Sequence, residues 1–245
     1  SNQGVHHKAD KNGGQGEKCI HAGPDKPSSP EIEIPQYKSQ RKAGRQAGQY
    51  GTGGYFQGCG HCRPGGGVPG HQEMEIGLVK LYQVTGDERY LTLSELMLER
   101  RGRGYHDFGS YAQDHAPVVE QDEVVGHAVR ALYMYSAMAD VAVLNERQPY
   151  WDALDRLWNN LVYKKIYVTG GIGAGAGIEG FDDNYELPND SYCETCAAIA
   201  NVMWNYRLFL RSGEAKYVDL LEKSLYNGLI SGMSMQGDRF FYTNP

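Results

Sequence analysis

Apolar positions between residues 71 and 98 fall at helical intervals, with Met74, Leu78, Leu81 and Tyr82 in one series and a second series starting at Tyr90. Thr85-Gly86-Asp87 separates them, so the spacing predicts an antiparallel helical hairpin. The pattern recurs. Residues 127–143 and 150–162 predict a second pair, and residues 196–210 and 216–229 a third, joined through Arg211-Ser212-Gly213-Glu214. The segments LYQVTGDERYLTL and LFLRSGEAKYVDL echo each other through an aromatic residue, a small-Gly-acid turn, a basic residue and a tyrosine. An amphipathic helix cannot hide its apolar face alone, so repeated hairpins are expected to stack on one another. The predicted class is all-α, with a curved array or an α/α toroid favoured over a parallel sheet. Two long loops, Tyr105 to Gln121 and Lys164 to Tyr192, each precede a helix. Loops of that length are uncommon unless they bind something or stay disordered, and these two could converge on one end of a helical barrel.

Residues 1–67 read differently. They are rich in Gly, Lys, Gln and Pro with little apolar periodicity, and are expected to form an irregular region that is disordered, frame-altered or misassigned. The sequence has 245 residues, and 30 acidic side chains against 24 Lys plus Arg give a formal charge of −6, which argues against nucleic-acid and lipid-surface roles. No apolar run reaches the roughly 20 residues needed to span a bilayer. No apolar signal segment opens the chain, which favours the cytoplasm, although a mature secreted chain would look the same. Five cysteines without framework spacing do not suggest a disulfide scaffold. Cys59-Gly60-His61-Cys62 has the separation of a metal or redox pair, yet it sits among glycines without a strand pattern and reads as incidental.

The chemistry concentrates in GGIGAGAGIEGFDDNYELPNDSYCETCAAIA, residues 170–200. Glu194 and Cys196 are a carboxylate and a thiol two residues apart at a helix entrance, able to bind Zn²⁺ yet short of a tetrahedral set. On the residues alone, a first-turn glutamate near the helix dipole beside a small buried cysteine explains them better. Glu179 follows the glycine run and is a candidate general acid or an ordinary loop glutamate. Asp182, Asp183, Glu186 and Asp190 could act on it electrostatically or face solvent, and Asn189-Asp190-Ser191 offers helix-capping groups. His71, His115 and His127 form a second group, with Glu75 one helical turn beyond His71. They could donate to sugar hydroxyls or be satisfied structural imidazoles. Tyr105, Tyr111, Trp204 and Tyr206 could stack on sugars or fill the core.

The blocks VPGHQEMEIGLVKLYQVTGDERYL, HAPVVEQDEVVGHAVRALYMY and YVTGGIGAGAGIEGF…ELPND…ETCAAIA occur in an order that resembles the bacterial β-L-arabinofuranosidase family of glycoside hydrolases, formerly a domain of unknown function. The resemblance spans about residues 68–245 and implies part or most of an (α/α)6 barrel, accompanied in full-length members by β-sandwich regions. It implies that Glu194 and Cys196 are zinc ligands, that Glu179 is the acid/base, and that His71 and His127 contact the bound furanose. It also implies a retaining reaction in which a zinc-associated cysteine attacks the anomeric carbon of a non-reducing-end β-L-arabinofuranoside. In the family that cysteine lies in a downstream Cys-Cys motif that these 245 residues do not contain, and residues 1–67 do not match the family's N-terminal helices. The expectation is therefore an incomplete catalytic barrel over residues 68–245, without the nucleophile and inactive in this form. A second copy or a further C-terminal portion would cover its open helix faces. The competing reading is a non-catalytic helical scaffold that binds carbohydrate or protein through its loops.

Overall fold

A computed structural model describes residues 68–105 and 108–244. The region before residue 68, with Cys19, Cys59 and Cys62, lies outside the described residues. Six α-helices form three hairpins: α1 (Glu73–Thr85) with α2 (Glu88–Arg100), α3 (Ala128–Leu144) with α4 (Gln148–Asn160), and α5 (Thr195–Ser212) with α6 (Ala215–Lys223). Each helix packs on its hairpin partner, while α1 packs on α3 and α3 on α5. The result is a row of first helices backed by a row of second helices, as in one arc of an α/α toroid. Among the described residues, no helix is long and apolar enough to cross a membrane.

The repeated turn motif folds the same way twice. Gly86 and Gly213 both adopt left-handed backbone (φ 70° and 69°) and return an N–H to the carbonyls of Tyr82 and Phe209. Glycine suits this position because a side chain there would clash with the following carbonyl. The Thr85 and Ser212 hydroxyls accept from the Asp87 and Glu214 amides, both at 3.2 Å. Asp87 then caps α2 through the Arg89 amide, whereas the longer Glu214 side chain leaves α6 uncapped. Residues 161–165 and 224–229 extend α4 and α6 as π-helical turns, which accounts for the longer apolar runs in the sequence.

Helix α3 is apolar nearly all round and is buried along most of its length, as expected of a helix with neighbours on several sides. Ala131, Ala137, Ala139 and Ala142 let those neighbours approach closely. Its seam with α5 is filled by Tyr135 against Trp204, both fully buried with ring centroids 5.0 Å apart, and is flanked by the Arg207–Asp140 ion pair at 2.9 Å. A chain of buried polar groups runs from α4 into the glycine-rich loop. Trp158 Nε1 donates to Asn205, Asn205 to Asn201, Asn201 to Ser224, and Ser224 to the Gly170 carbonyl.

A second buried polar set sits under α1. Arg101 and Glu75 are both fully buried and 3.5 Å apart, and Arg101 also donates to the carbonyls of Ala112 and Pro69. Glu75 is thus committed to Arg101 and makes no pair with His71. Burial pushes its carboxyl from 4.5 up to about 7 despite the guanidinium. The folded protein therefore keeps this proton across a window in which the unfolded chain has released it. Stability is expected to fall as pH rises from about 4.5 to about 7 and to level off above. Denaturation midpoints across that range check this, and Glu75→Gln should flatten that part of the slope.

Candidate functional site

The two long loops meet in front of α3. Gly126 and His127 (β1) pair antiparallel with Phe181 and Gly180 (β2), and the Ala128 amide donates to the Glu179 carbonyl at 3.1 Å. The approach requires glycine, because a Cβ on Gly180 would overlap the Gly126 carbonyl and lie 3.0 Å from the His127 nitrogen. Glu179 itself has left-handed backbone (φ 52°), uncommon for a residue with a side chain. That backbone presents its carboxylate to His127 Nε2, 3.2 Å from Oε2, while the Tyr192 hydroxyl donates to Oε1 at 3.2 Å. The Arg130 amide donates to His127 Nδ1 at 3.5 Å, so the neutral ring carries its proton on Nε2, facing Glu179. Burial lowers the His127 pKa and Arg130 pushes the same way, while the charges of Glu194 and Glu179 oppose them. Behind the ring, Gln113 Nε2 donates to the His127 and Val125 carbonyls, and Gln72 at the head of α1 donates to Gln113 Oε1 at 2.7 Å.

His71, just ahead of α1, forms the next wall. Its ring lies 6.3 Å from that of His127 and 5.7 Å from that of Tyr133, while Tyr111 meets His127 edge-on at 5.7 Å. Burial, then the Arg130 charge, lowers the His71 pKa. Both imidazoles are therefore neutral near pH 7, each able to donate through one nitrogen and accept through the other.

Glu194 is the N-cap of α5 and is only 3 % exposed, yet its side chain caps no backbone N–H. The Cys196 thiol donates to its Oε2 at 3.2 Å, and its Oε1 is buried without a hydrogen-bond partner. Burial, reinforced by Glu194, pushes the Cys196 thiol up to about 12, so it is protonated. Residues 241–244 lie across this helix start. Thr195 donates through its amide to the Tyr242 carbonyl at 2.9 Å and through its hydroxyl to the Phe241 carbonyl at 2.7 Å. A hydrogen bond from the Tyr242 phenol to the Glu194 carboxylate, then burial, pushes the phenol pKa up, and its ring lies 6.4 Å from that of Tyr192. Cys193 points elsewhere, with its sulfur 3.2 Å from where a Gly171 Cβ would sit. An unpartnered carboxylate oxygen beside a thiol suits a thiophilic divalent cation such as zinc, but two donors do not complete its coordination. Among the described residues, no group of three or more His, Cys, Asp or Glu side chains is placed to hold a metal.

Glu179, His71, His127, Glu194 and Cys196 thus gather where α1, α3 and α5 begin. Several other sequence candidates do not join them. His115 is exposed and faces Asp122, Asp114 and Glu123. Trp204 is core, Tyr105 lies under Arg100 on the loop after α2, and Tyr206 lies about three turns along α5. Of the four proposed stacking aromatics, Tyr111 alone lines this site. Asp183, Glu186 and Asp190 are exposed, and α5 is capped by none of Asn189, Asp190 or Ser191. Arg130, Tyr192, Tyr242 and Gln113 were missed. Arg130 and Tyr192 lie three residues after His127 and two before Glu194, a proximity that could have flagged them.

Comparison with known proteins gives a consistent result. The profile of the β-L-arabinofuranosidase GH127 catalytic domain matches residues 65–245. A non-reducing-end β-L-arabinofuranosidase of Bifidobacterium longum subsp. longum is 38% identical over 199 residues, covering 73% of this chain and 30% of that protein. Among solved structures, a GH127 β-arabinofuranosidase is 59% identical with a TM-score of 0.71, covering 73% of this chain and 28% of its own. A GH127 β-L-arabinofuranosidase from Geobacillus stearothermophilus T6 is 44% identical with a TM-score of 0.70, covering 74% and 32%. The chain therefore spans about a third or less of the length of these relatives. Its helical hairpins are those of their (α/α)6 barrels.

Proposed function

Because the chain belongs to the GH127 β-L-arabinofuranosidase catalytic-domain family, we propose that residues 68–245 form the part of a retaining glycosidase barrel that supplies its acid/base and one edge of its metal site. The substrate class is a non-reducing-end β-L-arabinofuranoside. The observation that carries this reading is the meeting of two pairs: Glu179 held by His127 and Tyr192, and Glu194 held by Cys196, at one end of the first-helix row.

In this reading Glu179 gives a proton to the departing glycosidic oxygen and later takes one from the incoming water. His127 and Tyr192 aim its carboxyl by holding one oxygen each. His71 meets a furanose hydroxyl as a neutral imidazole, His127 lines the same wall with its two nitrogens held by Arg130 and Glu179, and the Tyr111 ring excludes water from that wall. Glu194 and Cys196 would hold two positions on a zinc ion, whose charge, when bound, favours a deprotonated thiolate. The attacking thiolate is assigned to neither described cysteine, since Cys193 packs against Gly171 and Cys196 faces Glu194.

Metal analysis and binding of an aryl β-L-arabinofuranoside test this together. With only two donors, weak and substoichiometric zinc uptake is expected, abolished in Glu194→Gln and Cys196→Ser, alongside binding of the glycoside. A folded protein with neither metal nor affinity for the glycoside would favour the non-catalytic scaffold.

A further inference from the structure

Arg130 joins three segments that the helices alone leave separate. Its guanidinium donates through Nη1 to the Gly70 carbonyl at 2.8 Å, in the residue before His71. The same guanidinium stacks on the Tyr111 ring at 4.9 Å, on the short helical turn Gly109–Ala112. Its backbone amide donates to His127 Nδ1 at the start of α3. Its Nε is buried without a partner, so burying this cation is not fully compensated by its own hydrogen bonds. Retention of an incompletely satisfied guanidinium beside two imidazoles calls for a reason other than stability.

We propose that Arg130 is a positioning residue of the candidate sugar pocket, fixing His71, His127 and Tyr111 as one rigid wall. The inference rests on the functional reading above for what the wall binds, and on the contacts alone for the wall itself. A planar fork can meet a carbonyl along its edge and a ring on its face at once, which an ammonium cannot do. The positive charge has a second effect. After burial, Arg130 is the larger of the two influences that keep His71 neutral, His127 being the other, while Glu73 opposes them from 3.8 Å and the Tyr133 ring closes the remaining side. A neutral His71 keeps an acceptor nitrogen for a sugar hydroxyl, which an imidazolium lacks.

Two variants of the full chain test the role by nuclear magnetic resonance, with methyl β-L-arabinofuranoside as probe. Arg130→Met keeps the stem and removes the charge and the fork. It should raise the His71 titration midpoint and weaken binding of the glycoside by roughly tenfold. Arg130→Lys keeps the charge and should hold the midpoint near its original value, while weakening binding and the proton–proton contacts between the Tyr111 and His127 rings. A His71 midpoint unmoved in Arg130→Met would overturn the proposal. So would intact Tyr111–His127 contacts in Arg130→Lys, which decides the matter if Arg130→Met does not fold. If the unsubstituted protein does not bind the glycoside yet the midpoint and ring contacts shift as described, the positioning role stands and the functional reading falls.

Discussion

Glu179→Gln is expected to lower kcat by roughly 10²- to 10⁴-fold toward arabinosides with sugar leaving groups, in protein that turns them over. An amide cannot deliver the proton that a poor leaving group needs. The loss should be much smaller for nitrophenyl glycosides in the bond-breaking step, because nitrophenolate departs without protonation. The glutamine carbonyl can still accept from Tyr192 at the position of Oε1, while its NH2 then faces the His127 Nε2–H and that one hydrogen bond is lost. Steady-state rates on a paired aryl and alkyl glycoside check this, with the circular dichroism spectrum as the control for folding. Equal losses on both substrates would remove Glu179 from the acid role and leave it a binding residue.

Gly180→Ala is expected to damage the site and the fold together. The added methyl would overlap the Gly126 carbonyl and press on the His127 nitrogen, both backbone atoms that cannot step aside as a flexible side chain would. Relief requires β1 and β2 to part, which separates Glu179 from His127 and breaks the Gly180 amide bond to the Gly175 carbonyl. A cost on the order of 2–4 kcal/mol is expected, with turnover falling at least as far as in Glu179→Gln. Gly177→Ala is the control, since a Cβ there meets nothing within 4 Å. Thermal melts of the two variants should differ by several degrees, and similar melting would show that the loops accommodate the strain.

The helices were legible because their apolar spacing is long and regular, and the two turns because Gly, a hydroxyl and an acid occupy matching places in both. Convergence of the loops was legible from their lengths and positions. What periodicity could not show was the polar interior. Gln72, Gln113 and Arg101 look like surface residues in a one-dimensional pattern, yet all three are fully buried and hold the loop behind His127. Their partners are mostly backbone carbonyls, which leave no mark on residue type. Glu75 was misassigned for the same reason, since a helical interval suggests a neighbour whereas its partner Arg101 lies beyond the following helix. At the site, Glu194 and Cys196 stood out by chemistry, but Tyr192 and Tyr242 were missed because nothing in tyrosine spacing distinguishes a hydroxyl aimed at a carboxylate from one facing water.

The common alignment of α1, α3 and α5 has an electrostatic consequence. Each helix carries a partial positive charge of about half a unit at its N-terminus, where the backbone N–H groups point outward. Three such ends meet at His71, His127 and Glu194, so the backbone itself builds a cationic focus within a chain of net charge −6. Carboxylates at 179 and 194 sit in that field, and a thiolate at 196 would share it. Anionic chemistry is thereby favoured at one end of the hairpins before any side-chain cation or metal contributes, and it is disfavoured at the other end, where the same three helices finish.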